Sequence, residues 1–134
     1  MWYSHIFYST LMWDDHRREH VQGKTRPSSR HLDLIVLRTL VAMGPMHGYG
    51  IARRIEQVSG NQVLLNQGTI YASLVRLQQR GLISTRWGTS GSGRQAKYYS
   101  ITRSGRKRLA AETENWQRLS AVIGRLLATP EVGR

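Results

Sequence analysis

Apolar residues recur with helical spacing between residues 32 and 83 of this chain. The run LDLIVLRTLVAM (residues 32–43) predicts a helix that is buried on most sides, and Gly44-Pro45 should end it. A second, half-buried helix is predicted from about Gly48 to Gly60. A third lies in QGTIYASLVRLQQRGLI (residues 67–83), where apolar residues return every third or fourth position and Gly81 is the expected stop.

After Gly81 the spacing becomes that of strands. The segments LISTRW (residues 82–87) and AKYYSI (residues 96–101) are rich in aromatic and β-branched residues, and the Gly/Ser-rich GTSGSGRQ between them predicts an antiparallel hairpin. Thr102 resembles a helix cap, and a long helix should run from Ser104 to about Leu127. The chain is therefore expected to be mainly α with a small antiparallel β-hairpin, in the order of a winged helix-turn-helix domain followed by a long C-terminal helix.

The third helix is the candidate binding element, because in a winged helix it enters the DNA major groove while the hairpin loop lies along the backbone. Small residues permit close approach, Arg can donate two hydrogen bonds to guanine, and Thr or Ser can reach base edges. Tyr71 could donate to a phosphate, and Gly68 leaves the helix start open. The face opposite Ile70 is predicted to hold six residues, none of them acidic: Thr69, Ala72, Ser73, Arg76, Gln79 and Arg80.

Two simpler interpretations of this face remain open. A polar helix face often only meets water, and Arg76 could be held by Glu56 instead of being available to DNA. The hairpin tips the balance towards nucleic acid, since Arg86, Arg94 and Lys97 flank its Gly/Ser tip and could follow a sugar-phosphate backbone.

Composition agrees with a polyanionic partner. The 134 residues carry 20 Lys plus Arg against 8 Asp plus Glu, a formal net charge of +12, which favours nucleic acid first and an anionic membrane surface second. With 40% hydrophobic residues the chain should fold as one domain with an additional tail. The absence of cysteine excludes disulfides, thiolate nucleophiles and Cys-based zinc sites.

Three motifs in order are specific enough to indicate a family: HGYGIARRI (residues 47–55), QGTIYASLVRLQQRGLI (residues 67–83) and RQAKYYSITRSGRKRL (residues 94–109). Residues 31–127 resemble the PadR-like winged helix-turn-helix transcriptional regulators, in the short form with one C-terminal dimerisation helix. The resemblance implies a homodimer that binds an inverted-repeat operator in double-stranded DNA, usually as a repressor. It places Tyr49 and Tyr71 at phosphates, Thr69, Ser73 and Arg76 in the groove, and Arg94 and Lys97 in the wing. With the residues of the third helix, the predicted DNA-binding set is Tyr49, Gly68, Thr69, Tyr71, Ser73, Arg76, Arg80, Arg94 and Lys97.

The long last helix is predicted to make the dimer. Leu109, Trp116 and Ile123 repeat at intervals of seven residues, as do Leu119 and Leu126. This pattern is that of a short coiled-coil-like seam, which would be exposed to solvent in so small a monomer. The predicted interface comprises Leu34, Leu37, Val41, Leu109, Trp116, Leu119, Ile123 and Leu126. Similar PadR-like sensors bind drugs between aromatic side chains at this interface, so Trp116 is either a wall of a site for a small aromatic effector or an ordinary interface residue.

These expectations divide the chain into an N-terminal extension or linker (1–30), disordered or forming an extra helix, a winged-helix DNA-binding domain (31–101) and a dimerisation helix (102–128). Residues 1–13 are aromatic but too short to span a bilayer and a poor signal peptide, so a cytoplasmic location is expected.

No enzyme, cofactor or metal site is expected: the five His all lie in the first 47 residues, no acid pair occurs near a cleft-forming loop, and no phosphate-loop motif appears. His16 and His20 are spaced for a metal on a helix but lack a third placed ligand. Two rival functions are kept: a drug-binding dimer with weak DNA affinity, and a winged helix that grips an acidic protein.

Overall fold

A computed structural model of the chain describes residues 24–89 and 91–133. Within them, four helices and one two-stranded antiparallel sheet follow one another in the predicted order. They are α1 (Ser29–Met43), α2 (Gly48–Ser59), α3 (Gln67–Gln79), β1 (Ile83–Thr89), β2 (Gln95–Ile101) and α4 (Arg103–Leu127). The predicted fold class, mainly helical with a small hairpin and a long C-terminal helix, is confirmed. The first 23 residues lie outside the described part, and with them the spacing of His16 and His20 and the aromatic N-terminal segment.

The start of α1 lies three residues before the predicted Leu32, inside the predicted linker. Ser28 caps the helix by accepting a hydrogen bond from the His31 amide at 3.2 Å. Further upstream, the Thr25 amide donates to the Gln62 carbonyl at 2.8 Å, and the Thr25 carbonyl accepts from the Leu64 amide at 2.6 Å. Backbone groups make these bonds, so the side-chain pattern of the linker gave no sign of them.

The core lies where α1, α2 and α3 meet the base of the hairpin. Val36 of α1, Ile51 of α2 and Leu77 of α3 are fully buried there. Of the two adjacent tyrosines in β2, Tyr99 is buried, as expected for a strand whose side chains alternate between two faces. The backbone of Tyr99 also exchanges two hydrogen bonds with Met46, which ties the α1–α2 connection to the hairpin.

The joint between the hairpin and α4 is close-packed. Thr102 caps α4 by accepting from the Gly105 amide at 3.0 Å, and its hydroxyl donates to the Gly81 carbonyl at 2.8 Å. A Cβ at Gly105 would lie far inside contact distance of the Leu82 carbonyl oxygen and 2.7 Å from Cγ1 of Ile101. This position therefore requires glycine because of the approach of two backbones.

Among the described residues, it is chiefly the first half of α4 that packs against the rest of the chain. Leu109 is buried, Glu112 receives an ion pair from Arg30 of α1 at 3.2 Å, and the Trp116 ring meets the His31 ring edge-on at 5.2 Å. From residue 114 to residue 127 every position of the helix is exposed. Leu109, predicted for the dimer interface, belongs to the protomer's own core, and so does Leu37.

Candidate nucleic-acid interface

A reciprocal capping box fixes the N-terminus of α3. The Thr69 amide donates to Oδ1 of Asn66 at 2.9 Å, and the Asn66 amide donates to Oγ1 of Thr69 at 3.3 Å. The Thr69 hydroxyl also donates to the Asn66 carbonyl at 2.9 Å. Because this hydroxyl is engaged within the cap, the group that Thr69 has left to offer a base is its methyl.

The exposed side of α3 contains the predicted Gly68, Ala72 and Gln79, but it is centred away from the predicted Ser73 and Arg76 and includes Val75. Gly68 and Gln79 are exposed, and Ala72 and Val75 between them are half-buried. They form one ridge along the helix because their angular positions fall opposite the buried residues 70, 73, 74 and 77. Val75 was not among the residues predicted for this side. The ridge, Gly68–Ala72–Val75–Gln79, carries no charge.

The prediction that Ser73 reads bases is wrong. Ser73 follows Ile70 by three residues, which on an α-helix puts the two only about 60° apart, on the same buried side. Its side chain is completely buried, and its hydroxyl donates to Oδ1 of Asp33 in α1 at 2.6 Å. Ser73 therefore holds α3 against α1 and cannot reach a duplex.

Arg76 shares the same carboxylate. Its Nη2 lies 2.7 Å from Oδ1 of Asp33 and its Nε lies 3.2 Å from Oδ2, which is a bidentate pair. The hydrogen bond to Asp33 raises the pKa of Arg76 above its ordinary value, against the opposing effect of burial. Asp33 occupies the Nε–Nη2 edge of the guanidinium, so the predicted two-bond contact from Arg76 to guanine could come only from the Nη1–Nη2 edge.

A tyrosine flank borders the ridge on the side of α2 and the hairpin. Tyr49, near the start of α2, lines a shallow depression together with Tyr71 of α3, which is half-exposed. Tyr49 also packs against Ala96 of β2, which Tyr98 of the same strand contacts as well. The predicted phosphate contacts Tyr49 and Tyr71 thus lie together, and the wing is anchored beside them.

The wing presents Arg86 and Lys97 on its two opposite faces, because side chains alternate along a strand and directly paired residues share a face. In the hairpin register Arg86 pairs with Tyr98, and Trp87 pairs with Lys97. Nζ of Lys97 lies 5.8 Å from the centroid of the Tyr99 ring, a cation–π contact, and Lys97 as a whole is half-buried. The side chain of Trp87 is half-exposed and was not singled out from the sequence.

Two remaining predicted positions lie at the ends of these elements. Arg80 is exposed at the C-terminal end of α3, and Arg94 is exposed just before β2. Among residues 24–89 and 91–133, no three His, Cys, Asp or Glu side chains come together as a metal site would need. None of the four described helices is both long and apolar enough to cross a membrane.

Comparison with known proteins agrees with this architecture. The "Uncharacterized protein X" of Lysinibacillus sphaericus is 31% identical over 93 residues, which cover 69% of this chain and 84% of that protein. A PadR family transcription regulator from Clostridium difficile superposes with a TM-score of 0.64 at 27% identity, over 73% of this chain and 99% of that one. A PadR-like transcriptional regulator from Bacillus cereus gives a TM-score of 0.64 at 25% identity, over 74% and 93%. The model of the transcriptional regulator PadR-like family matches residues 36–111, so the chain belongs to this family of DNA-binding regulators.

Proposed function

We propose that the protein binds double-stranded DNA sequence-specifically, as a homodimeric repressor on an inverted-repeat operator. The observation that carries this is the uncharged, partly exposed ridge of α3, which lies beside the phenolic side chains of Tyr49 and Tyr71 and the wing. A B-DNA major groove about 12 Å wide accepts a helix of about 10–12 Å diameter. Helix α3 can enter it ridge first, because Gly68 and Ala72 keep its leading edge thin.

Recognition then divides between bases and backbone. The methyl groups of Thr69, Ala72 and Val75 suit thymine methyls, and the Gln79 amide suits the paired donor and acceptor of adenine. The Tyr49 and Tyr71 hydroxyls, with the wing cations, suit phosphates, which fix the register without reading sequence.

The dimer is proposed from the exposed half of α4. Trp116, Leu119 and Ile123 are each between 44% and 49% exposed, an apolar stripe unusual for a lone protomer. At its start this stripe adjoins an apolar groove of about 510 Å³, which Leu34 of α1 and Leu109 of α4 help to line. A second copy would bury both surfaces. Binding of an aromatic effector at Trp116 stays a prediction.

The DNA-binding proposal is tested by selecting bound sequences from random DNA and titrating the selected duplex with salt. Lys97→Ala is expected to weaken the selected and a scrambled duplex by similar factors and to lower the salt slope by about one unit per bound copy, because a phosphate contact carries no sequence information. Fluorescence anisotropy measures both quantities. Failure to enrich any sequence, together with binding that ignores salt, would favour the drug-binding or protein-binding alternatives.

The dimer is tested by placing a charge in the stripe. Ile123→Glu is expected to convert a dimer into a monomer at micromolar concentration, because a buried, unpaired carboxylate opposes association. Sedimentation equilibrium gives the mass. Ala121→Glu is the matched control, since Ala121 is exposed two residues away on the other side of α4. Equal masses for Ile123→Glu and wild type would contradict the proposed interface.

A further inference from the structure

The second flank of α3, opposite the tyrosines, carries a groove that the proposed function does not yet use. Its volume is about 530 Å³. One wall comes from α3 (Gly68, Thr69, Ala72, Arg76) and the other from the segment before α1, chiefly Arg26 and Ser28. None of the described residues that line it is acidic.

Arg26 is the cation of this groove that is available to a ligand. Arg76 is held by Asp33, whereas Arg26 is exposed and makes no ion pair within residues 24–89 and 91–133. Its position is nevertheless fixed, because the two backbone hydrogen bonds of the neighbouring Thr25 pin this segment beside the α2–α3 connection. Little conformational entropy of the backbone would therefore be lost when Arg26 binds an anion.

The geometry of a major groove indicates that this anion is a phosphate of the DNA backbone. A helix lying in the groove is bordered by the phosphates of both strands. The contacts proposed so far, from Tyr49, Tyr71 and the wing, lie on the α2 side of the ridge. Arg26 lies on the other side, next to Thr69 and Ala72, and the N-termini of α1 and α3 open on the same groove with favourable dipoles.

We propose that Arg26 binds a backbone phosphate of the DNA strand across the major groove from the strand that the tyrosine flank contacts. Residues 24–28 then act as a short basic arm that contacts the DNA on the second flank of α3. The arm lies outside the family match at residues 36–111. This inference rests on the proposed DNA binding.

The test compares Arg26→Ala with wild type on an operator duplex selected from random DNA. Release of the counterions of one phosphate predicts a salt slope lower by about 0.9 per bound copy, and binding weaker by about fivefold per copy in about 0.15 M salt. Arg26→Lys should retain most of the affinity. Arg125→Ala removes the same charge from the far end of α4 and should bind like wild type. Arg26 is exposed, so unchanged thermal unfolding is expected to accompany the loss.

Neutral methylphosphonates, placed one at a time in the duplex, locate the contact. Within a half-site, a methylphosphonate at one position should weaken DNA binding by wild type but not by Arg26→Ala. That position should lie on the strand opposite the positions where a methylphosphonate weakens binding by wild type but not by Tyr71→Phe. If Arg26→Ala binds DNA with wild-type affinity and salt slope while Lys97→Ala binds more weakly, the proposed role of Arg26 is wrong and the proposed function stands. A wild-type protein without salt-dependent DNA binding would overturn the proposed function itself.

Discussion

Gly105→Ala is expected to lower the free energy of unfolding by about 3 kcal/mol, because overpacking at a site bounded by backbone forces the chain apart. The new methyl would meet the Leu82 carbonyl oxygen and the Ile101 side chain, and α4 could stay docked only by moving off the base of the hairpin. Equilibrium urea unfolding followed by circular dichroism measures the change.

Gly124→Ala supplies a control within the same helix. A Cβ at Gly124 meets no atom within 4 Å, so this substitution should stabilise the helix by about 0.5–1 kcal/mol through the lower backbone entropy of alanine. Opposite signs for the two substitutions are the expected result. A Gly105→Ala protein as stable as wild type would mean that α4 does not dock closely on the base of the hairpin.

Asp33→Ala is expected to cost about 2 kcal/mol of stability, because it leaves the buried Ser73 hydroxyl without its acceptor and unpairs Arg76. The figure stays below that of a fully buried ion pair because the Arg76 side chain is 36% exposed and partly solvated. Urea unfolding at neutral pH measures it.

A double-mutant cycle separates the two partners of Asp33. Ser73→Ala in the Asp33→Ala background should cost little, since the hydroxyl has already lost its acceptor, whereas Ser73→Ala alone should cost about 1 kcal/mol. Strictly additive losses would show that the 2.6 Å hydrogen bond contributes nothing to holding α3 on α1.

The order and type of the elements could be predicted from this sequence because each element has a recognisable pattern within its own residues. The helical spacing of α1 to α3, the aromatic and β-branched strands, and the cap at Thr102 all act within a few residues. The residues of the recognition surface were harder to predict from the sequence. Ser73 was assigned to the wrong side of α3, although the angle from Ile70 alone would have placed it in the core.

Long-range pairing explains what else the sequence could not give. Asp33 meets Arg76 across 43 positions, and no local pattern distinguishes Asp33 from Glu56 as the partner. Likewise, the segment around Arg26 looks like a linker by composition, while two backbone hydrogen bonds to residues 62 and 64 hold it in place. In both cases the decisive contacts join residues far apart in the chain or involve backbone atoms.

Strand β2 ends at Ile101 and helix α4 begins at Arg103, and Thr102 between them is hydrogen-bonded to Gly81 before the hairpin and to Gly105 in α4. This connection is one residue long and leaves little freedom between the two elements. The direction of α4 therefore determines the orientation of the winged-helix domain that carries α3. In a dimer, the distance between the two recognition helices would then depend on the angle at which the paired α4 helices cross. The permitted number of base pairs between half-sites would be a property of that crossing angle, and substitutions in the stripe could alter operator spacing without touching DNA.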